Sequence, residues 1–409
     1  MDRPRRTLDR REGAGCLDDA DVIIIGGGIA GLAAAHGLSR AGVGRVQLLE
    51  RESVLCSHSS GRNAAIFRHL SGGLGDVDLA KRSRALLTEL LGSEEAWLQK
   101  TGAWFVSEGP KPLEALAALA VRERVACEQA KGTALESALP SLQGGVIRRG
   151  LFFQDDGVID IHAVTQELAR VVTAAGVTIS LGVEVARIEV ATQTATETAT
   201  GDSRAGGGAG VTGSSGQRVT GVTLASGKTL PARAVVIAAG AWGEPLGASC
   251  GAALPLEPRR RHLALLEPKT TGEAGAPIVW CVDDELYLRP DSGGLLASPC
   301  DEVAWKAELP APTEAGVELL AKKLARVAPR LADAAVRRSW ACLRTFAPDR
   351  APVVGADPRV GGLHWLAGLG GHGMTGGVAA GELLAATFIG KPHKLAQALA
   401  PARFAASPG

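Results

Sequence analysis

The strongest constraint on this chain lies at a strand–helix junction near its start. Asp21-Val22-Ile23-Ile24-Ile25 is apolar and β-branched from Val22 onward and stops at three glycines. Ile29 to Ala41 then carries Ala and Leu at helical spacing up to Gly42. The first run reads as a buried parallel strand, the second as a helix with a glycine stop. Arg45 to Glu50 is the next strand, so residues 21–50 form one βαβ unit. Gly26-Gly27-Gly28-Ile29-Ala30-Gly31 satisfies G-x-G-x-x-G at the junction, and Glu50 closes the second strand where an acidic residue meets a ribose. Gly26 permits the tight turn, Gly28 lets a pyrophosphate approach the backbone, and Gly31 lets the helix pack on the strand. The phosphates meet free N–H groups at the positive helix end, where Ile29 and Ala30 stand. Arg51 and Val185 are grouped with this site.

The remainder of the chain sets limits. Its 409 residues exceed what one core usually serves, so two domains are expected. A formal net charge of +1 gives no electrostatic case for nucleic acid or an anionic membrane, and no apolar run is long enough to span a bilayer. Seven cysteines without a CxxC pair argue against a disulfide framework or a zinc site, and a reducing cytosol is the simplest compartment. Residues 1–20 read as a disordered tail, and the Thr/Ala/Gly/Ser-rich stretch 191–217 as a low-complexity insert. Helices are expected at 76–100, 161–175, 313–328 and 374–388, and strands at 104–106, 151–153, 177–190, 219–224, 234–237, 340–346 and 363–366, with a strand-rich sheet over 260–300. The fold class is α/β (α+β overall). A Rossmann-type nucleotide domain is assembled from 21–90, 151–250 and 340–409, and a β-rich substrate domain from 91–150 and 251–339.

The fingerprint alone does not choose between FAD and NAD. Three further features favour FAD. A second strand ends in a glycine bend at Ala238-Ala239-Gly240. Gly368 to Gly376, including Gly370, Gly371, His372, Gly373, Met374 and Thr375, opens the last helix, whose N-terminus would stabilise negative charge on a reduced flavin. The polar loop from His58 supplies Ser59, Ser60, Gly61, Arg62, Ala64 and Ala65 for phosphate contacts. In this order the pieces resemble the D-amino-acid oxidase-type flavoproteins, the group that includes glycine and sarcosine oxidases, over about residues 21–390 outside the insert. Ser59 to Ala65, Asp284 to Asp291 and Trp340 to Phe346 are most similar to bacterial D-arginine dehydrogenases.

The resemblance implies that Arg261, Arg344 and Tyr287, the chain's only tyrosine, surround a substrate carboxylate. Arginine suits that role because its planar fork pairs bidentately. The resemblance also implies that hydride leaves Cα for flavin N5 and that the imine hydrolyses to a 2-oxo acid and ammonia. His372 either assists with the ammonium proton or contacts the flavin edge. Asp155-Asp156-Gly157 reads as a turn, and His36, His69, His162, His364 and His393 as surface or core residues. Cys342 stands where sarcosine oxidases bond flavin covalently, but its surroundings follow the D-arginine dehydrogenases, so non-covalent FAD is expected. Trp104, Ile66 and Phe67 are expected to form an apolar side-chain pocket that prefers neutral or hydrophobic D-amino acids to D-arginine, while Arg68 offers the alternative of an acidic side chain. Competing readings are a sarcosine/glycine oxidase, a nicotinamide-dependent dehydrogenase, and a flavin-binding protein without turnover. The electron acceptor is oxygen or a quinone.

Overall fold

The structure, a computed structural model, describes residues 20–192, 216–267, 276–291 and 293–404. The tail expected at 1–20 and the insert expected at 191–217 lie outside the described residues, apart from Ala20, which opens the first strand, and the insert's ends, which close and open two others.

Two sheets organise the chain. In the first, Ala20–Ile25 pairs in parallel with Val46–Glu50 on one side and with Thr229–Ile237 on the other. Thr178–Leu181 extends it beyond Val46–Glu50, and Leu363–Ala367 adds to the end of Thr229–Ile237. The central strands are buried on both faces, as their unbroken Val/Ile/Leu sequence requires. One face is covered by helices Ile29–Arg40, Asp76–Leu91, Ile161–Ala174 and Gly373–Phe388. The first and last of these cross at glycine. A Cβ on Gly37 would sit 2.2 Å from the carbonyl oxygen of Gly381, and one on Gly381 2.2 Å from that of Ala33. No larger residue permits that approach, which lays the last helix against the nucleotide fingerprint.

The second sheet is mostly antiparallel and runs from Glu257–Glu267 through Gly294–Ser298, Leu286–Asp291, Ile278–Cys281, Ala103–Ser107 and Arg149–Phe153 to Glu128–Lys131. Ala335–Phe346 pairs with Glu257–Glu267 along its whole length. Residues 151–153 and 340–346, grouped by sequence with the nucleotide segments, therefore lie in this sheet.

Local differences have local causes. The helix expected over 76–100 stops at Leu91 because Gly92 takes the left-handed conformation, φ 84°, and Leu98–Gln99 is a short strand. The two strands within 177–190 form but do not pair with each other: Thr178–Leu181 joins Val46–Glu50, and Val185–Thr192 joins Gln217–Leu224. Among the described residues, no helix is long and apolar enough to cross a membrane.

Candidate functional site

A cavity of about 370 Å³ opens beyond the C-terminal ends of Ala20–Ile25 and Thr229–Ile237, where open α/β sheets hold their ligands. Glycine shapes its floor. Gly26 has φ +110°, and a Cβ there would lie 2.6 Å from the carbonyl oxygen of Ala238. A Cβ on Gly31 would lie 1.8 Å from the Gly26 oxygen, so the helix touches the turn directly. Gly28 differs: Ser60 Oγ, at 3.2 Å, is the nearest group its Cβ would meet, so a longer side chain there would enter the cavity. That is the cradle a pyrophosphate requires, with Ile29 and Ala30 at the helix start beside it.

Glu50, Arg51, Val185 and Trp242 line the cavity. Glu50 accepts from Gly27 N–H at 2.6 Å and from Glu52 N–H at 2.8 Å, which pins its carboxylate while leaving lone pairs for ribose hydroxyls. The Arg51 guanidinium lies 3.9 Å over the Trp242 ring, a pair of flat surfaces suited to an aromatic base. Gly370, Gly371, Gly373 and Met374, around the start of the last helix, also line it, together with Leu343 and Arg344. Gly370 and Gly371 have φ +54° and +97°.

Of the residues expected to hold the cofactor, Gly26, Gly28, Ile29, Ala30, Glu50, Arg51, Ser59, Ser60, Val185, Ala239, Gly240, Gly370, Gly371, Gly373 and Met374 line this cavity. The others sit behind it. Gly31 packs on the Gly26 turn, and Gly61 on the Cys56 carbonyl. Arg62 donates Nε–H to the Ser57 oxygen at 3.0 Å. The Ala64 oxygen accepts from Arg289, Ala65 N–H is held by Asn63, and Thr375 donates to the Ile66 oxygen. These are supports of the loop rather than cavity walls. Asn63, His58 and Trp242 also line the cavity; they belong to the polar loop and the glycine bend that the sequence singles out, but nothing in the local sequence marks these three side chains as site residues.

Beyond Arg344 the second sheet presents one face. Strand alternation places Arg344 and Cys342 across from Arg259 and Arg261, and Tyr287 across from Trp280 and Ser298. Arg344 is 5% exposed; it donates to Cys342 Sγ at 2.9 Å and to the Leu343 oxygen at 3.3 Å, and no carboxylate pairs with it among the described residues. The contact turns the Cys342 thiol toward Arg344 and the backbone of Arg261, and Cys342 does not line the cavity. Arg261 pairs with Glu302 at 2.5 Å, while its buried Nε has no partner among the described residues. Burial pushes the Tyr287 phenol up to about 12, against the pull of Arg344 and Arg261, so Tyr287 is a neutral donor at ordinary pH.

His372 joins this group. Its Nδ1 stands 3.0 Å from Asp76 Oδ2, and its Nε2 stands 2.7 Å from Arg68 Nη2. Burial and the Arg68 cation hold the imidazole below its ordinary range, so it is neutral, donating from Nδ1 and accepting at Nε2. Burial alone would raise the Asp76 carboxyl; its contacts with His372 and Ser71 and the nearby Arg68 cation together outweigh that and hold it below the usual carboxylate range. The Arg68 guanidinium lies 4.3 Å over the Trp280 ring, and Trp280 packs against Tyr287 at 5.0 Å.

The expected side-chain pocket is corrected in two of its three residues. Ile66 packs against the cluster that contains Tyr287. Phe67 is fully buried in the nucleotide-domain core beside His69 and Trp97. Trp104 faces the opposite side of the second sheet, against Phe152 and Leu135, because it shares register with Val279, while Phe105 shares it with Trp280. The aromatic residue beside Tyr287 is Trp280. Asp156 is more than a turn residue: it is buried and accepts from both the backbone and the ring of His69.

A family model described as FAD dependent oxidoreductase, DAO, matches residues 21–387. The D-amino acid dehydrogenase of Methylobacterium nodulans is 29% identical over 267 residues, 64% of this chain and 56% of its own length. The mitochondrial sarcosine dehydrogenase of Homo sapiens is 25% identical over 392 residues, 92% of this chain and 40% of its own. The chain spans about half the length of the curated relatives it matches. The L-proline dehydrogenase of P. horikoshii has the same fold, with a TM-score of 0.79 at 21% identity, covering 95% of this chain and 98% of that one.

Proposed function

This chain belongs to the FAD-dependent oxidoreductase (DAO) family, and from that premise we propose that it oxidises the Cα–N bond of an amino acid of D configuration, giving an imino acid that water converts to a 2-oxo acid and ammonia. The family membership makes FAD the cofactor and removes the nicotinamide alternative; when bound, FAD supplies the acceptor for the hydride leaving Cα. Gly26, Gly28 and the start of the first helix would hold its pyrophosphate, Glu50 its ribose, and Gly370 to Met374 its redox ring.

One observation carries the substrate reading: a buried guanidinium without a carboxylate partner among the described residues, Arg344, stands where the cofactor cavity meets the second sheet. A buried cation is stable only with an anion, and a substrate carboxylate supplies it bidentately. The neutral Tyr287 phenol and the Arg261 Nε–H, unpartnered among the described residues, support the same grip. Both ring nitrogens of His372 are engaged, by Asp76 and Arg68, which favours a positioning role over direct removal of the ammonium proton. The D configuration is supported by similarity to a D-amino acid dehydrogenase, and an N-alkyl glycine substrate by similarity to a sarcosine dehydrogenase over most of the chain. Product analysis separates them. D-amino acids should give equimolar 2-oxo acid and ammonia. Turnover confined to sarcosine and other N-alkyl glycines, with release of a primary amine in place of ammonia, would overturn the D-amino-acid reading.

A further inference from the structure

We infer that Arg68 is the specificity residue of this site and that it takes a second, distal carboxylate, making the substrate class the dicarboxylic amino acids. The inference rests on the amino-acid reading above and begins from a count of charges. Three guanidiniums bear on this face: Arg261 and Arg344 act directly on Tyr287, and Arg68 reaches it through Trp280, whose ring its guanidinium covers at 4.3 Å. Glu302 neutralises Arg261 and is itself shared with Arg350 at 2.8 Å. Arg344 and Arg68 have no bonded carboxylate among the described residues. The nearest acid to Arg68 is Asp76, one imidazole away, and Asp76 is already held by His372 Nδ1 at 3.0 Å and by Ser71 Oγ at 2.5 Å. One substrate carboxylate answers Arg344; the ionised Asp76 balances the Arg68 charge through the neutral imidazole but leaves the other N–H donors of that guanidinium without an acceptor among the described residues, and a second carboxylate would take them.

Geometry gives Arg68 a fixed aim. Trp280 supports the flat face of its guanidinium at 4.3 Å, and the neutral His372 accepts one N–H at 2.7 Å. A guanidinium carries five N–H donors, and no other hydrogen bond from Arg68 forms among the described residues. The residue is partly accessible, so the remaining donors are not sealed in protein. The Asp76–His372–Arg68 chain is therefore a tether that holds a cationic fork open, as a site for a planar anion requires. The same fork repels a cationic side chain and leaves an apolar one beside an unsatisfied charge, so it selects against D-arginine and against D-leucine alike.

The test uses the FAD-loaded protein and binding alone. Succinate, glutarate and adipate are titrated against butyrate, pentanoate and hexanoate, pairs of equal length that differ by one charge, with calorimetry and the visible flavin band as readouts. In the unaltered protein at least one diacid should bind roughly ten- to a hundredfold more tightly than its monoacid, the range a charge-assisted fork provides. In Arg68→Met the ratio should collapse to near one, and Arg68→Lys, which keeps charge but loses the fork, should retain part of it. Ratios near one for all three pairs in the unaltered protein, or a preference that survives in Arg68→Met, would overturn the inference; the second result would mean that Arg68 and Arg344 grip one carboxylate together. D-glutamate against D-glutamine separates this from the reading beneath it. Oxidation of both at equal kcat/KM overturns the second-carboxylate site and keeps the D-amino-acid function. Diacid-selective binding with no amino acid oxidised keeps the site and removes that function.

Discussion

Replacing Arg344 by Met tests the substrate grip in two independent ways. Arg344 is 5% exposed, and the only hydrogen bonds of its guanidinium within the described residues go to a thiol sulfur and a carbonyl oxygen. Methionine fills comparable volume against Gly371 without the charge. If Arg344 holds a carboxylate, its loss removes charge-assisted hydrogen bonds worth roughly 1.5–3 kcal/mol, and at about 1.4 kcal/mol per decade KM rises about ten- to a hundredfold. If it is instead a structural ion, its removal costs stability. The site reading predicts the opposite, because the substrate-free protein buries a cation with no carboxylate partner among the described residues, which Met does not have: thermal midpoint unchanged or raised, with volume-conserving replacement costing less than about 1.5 kcal/mol. The assay is KM for the preferred amino acid, the ratio of flavin to protein absorbance, and thermal unfolding without substrate. A KM within twofold of the unaltered protein, or a large fall in the midpoint, refutes the assignment.

Three further outcomes follow from the same structure. Gly28→Val places its methyl groups in the cavity beyond Ser60 and should yield folded but colourless protein; full flavin content would move the pyrophosphate elsewhere. Trp104→Leu should lower stability by a few kcal/mol, within the ~3–5 kcal/mol seen for larger aromatic truncations, and leave KM unchanged, whereas Trp280→Leu should raise KM; the reverse pattern would restore Trp104 to the substrate pocket. Burial holds His364 at about 4 in the folded chain against 6.5 when exposed, so it contributes stability that is complete above pH 6.5 and is lost as pH falls toward 4. His364→Leu should therefore lose less urea resistance between pH 7 and pH 5 than the unaltered protein, and equal losses would remove His364 from the acid response.

What could be read in the sequence was whatever is decided locally. The Gly26–Gly31 fingerprint was legible because a positive φ and a helix contact too close for a Cβ are demands that only glycine meets. Arg344 and Tyr287 came from motif resemblance, and the structure brings them to one face of the second sheet. The errors concern pairing. Alternation shows that Trp104 and Phe105 face opposite ways, but which of them faces the site depends on parallel pairing with Ile278–Cys281, 175 residues later in the register Ile278↔Ala103. Phe67 was misplaced for the same reason, since its short strand is oriented by Gly157–Ile159. The Asp76–His372–Arg68 chain joins residues up to 304 positions apart, and Asp76 by itself is an ordinary acid in a first helical turn. Residues 340–346 could not be assigned to the second sheet until their partner, Glu257–Glu267, was known.

The central claim, that this chain couples FAD to amino-acid oxidation, is tested most directly by anaerobic titration of the purified FAD-bound protein. The visible flavin band is followed as D-glutamate, D-glutamine, D-leucine, D-arginine, L-glutamate, glycine and sarcosine are added one at a time without an electron acceptor. The account predicts that D-amino acids bleach the band to completion within turnover times, with D-glutamate fastest and D-arginine slowest, and that the L enantiomer leaves it intact. A band that no amino acid bleaches would contradict the claim.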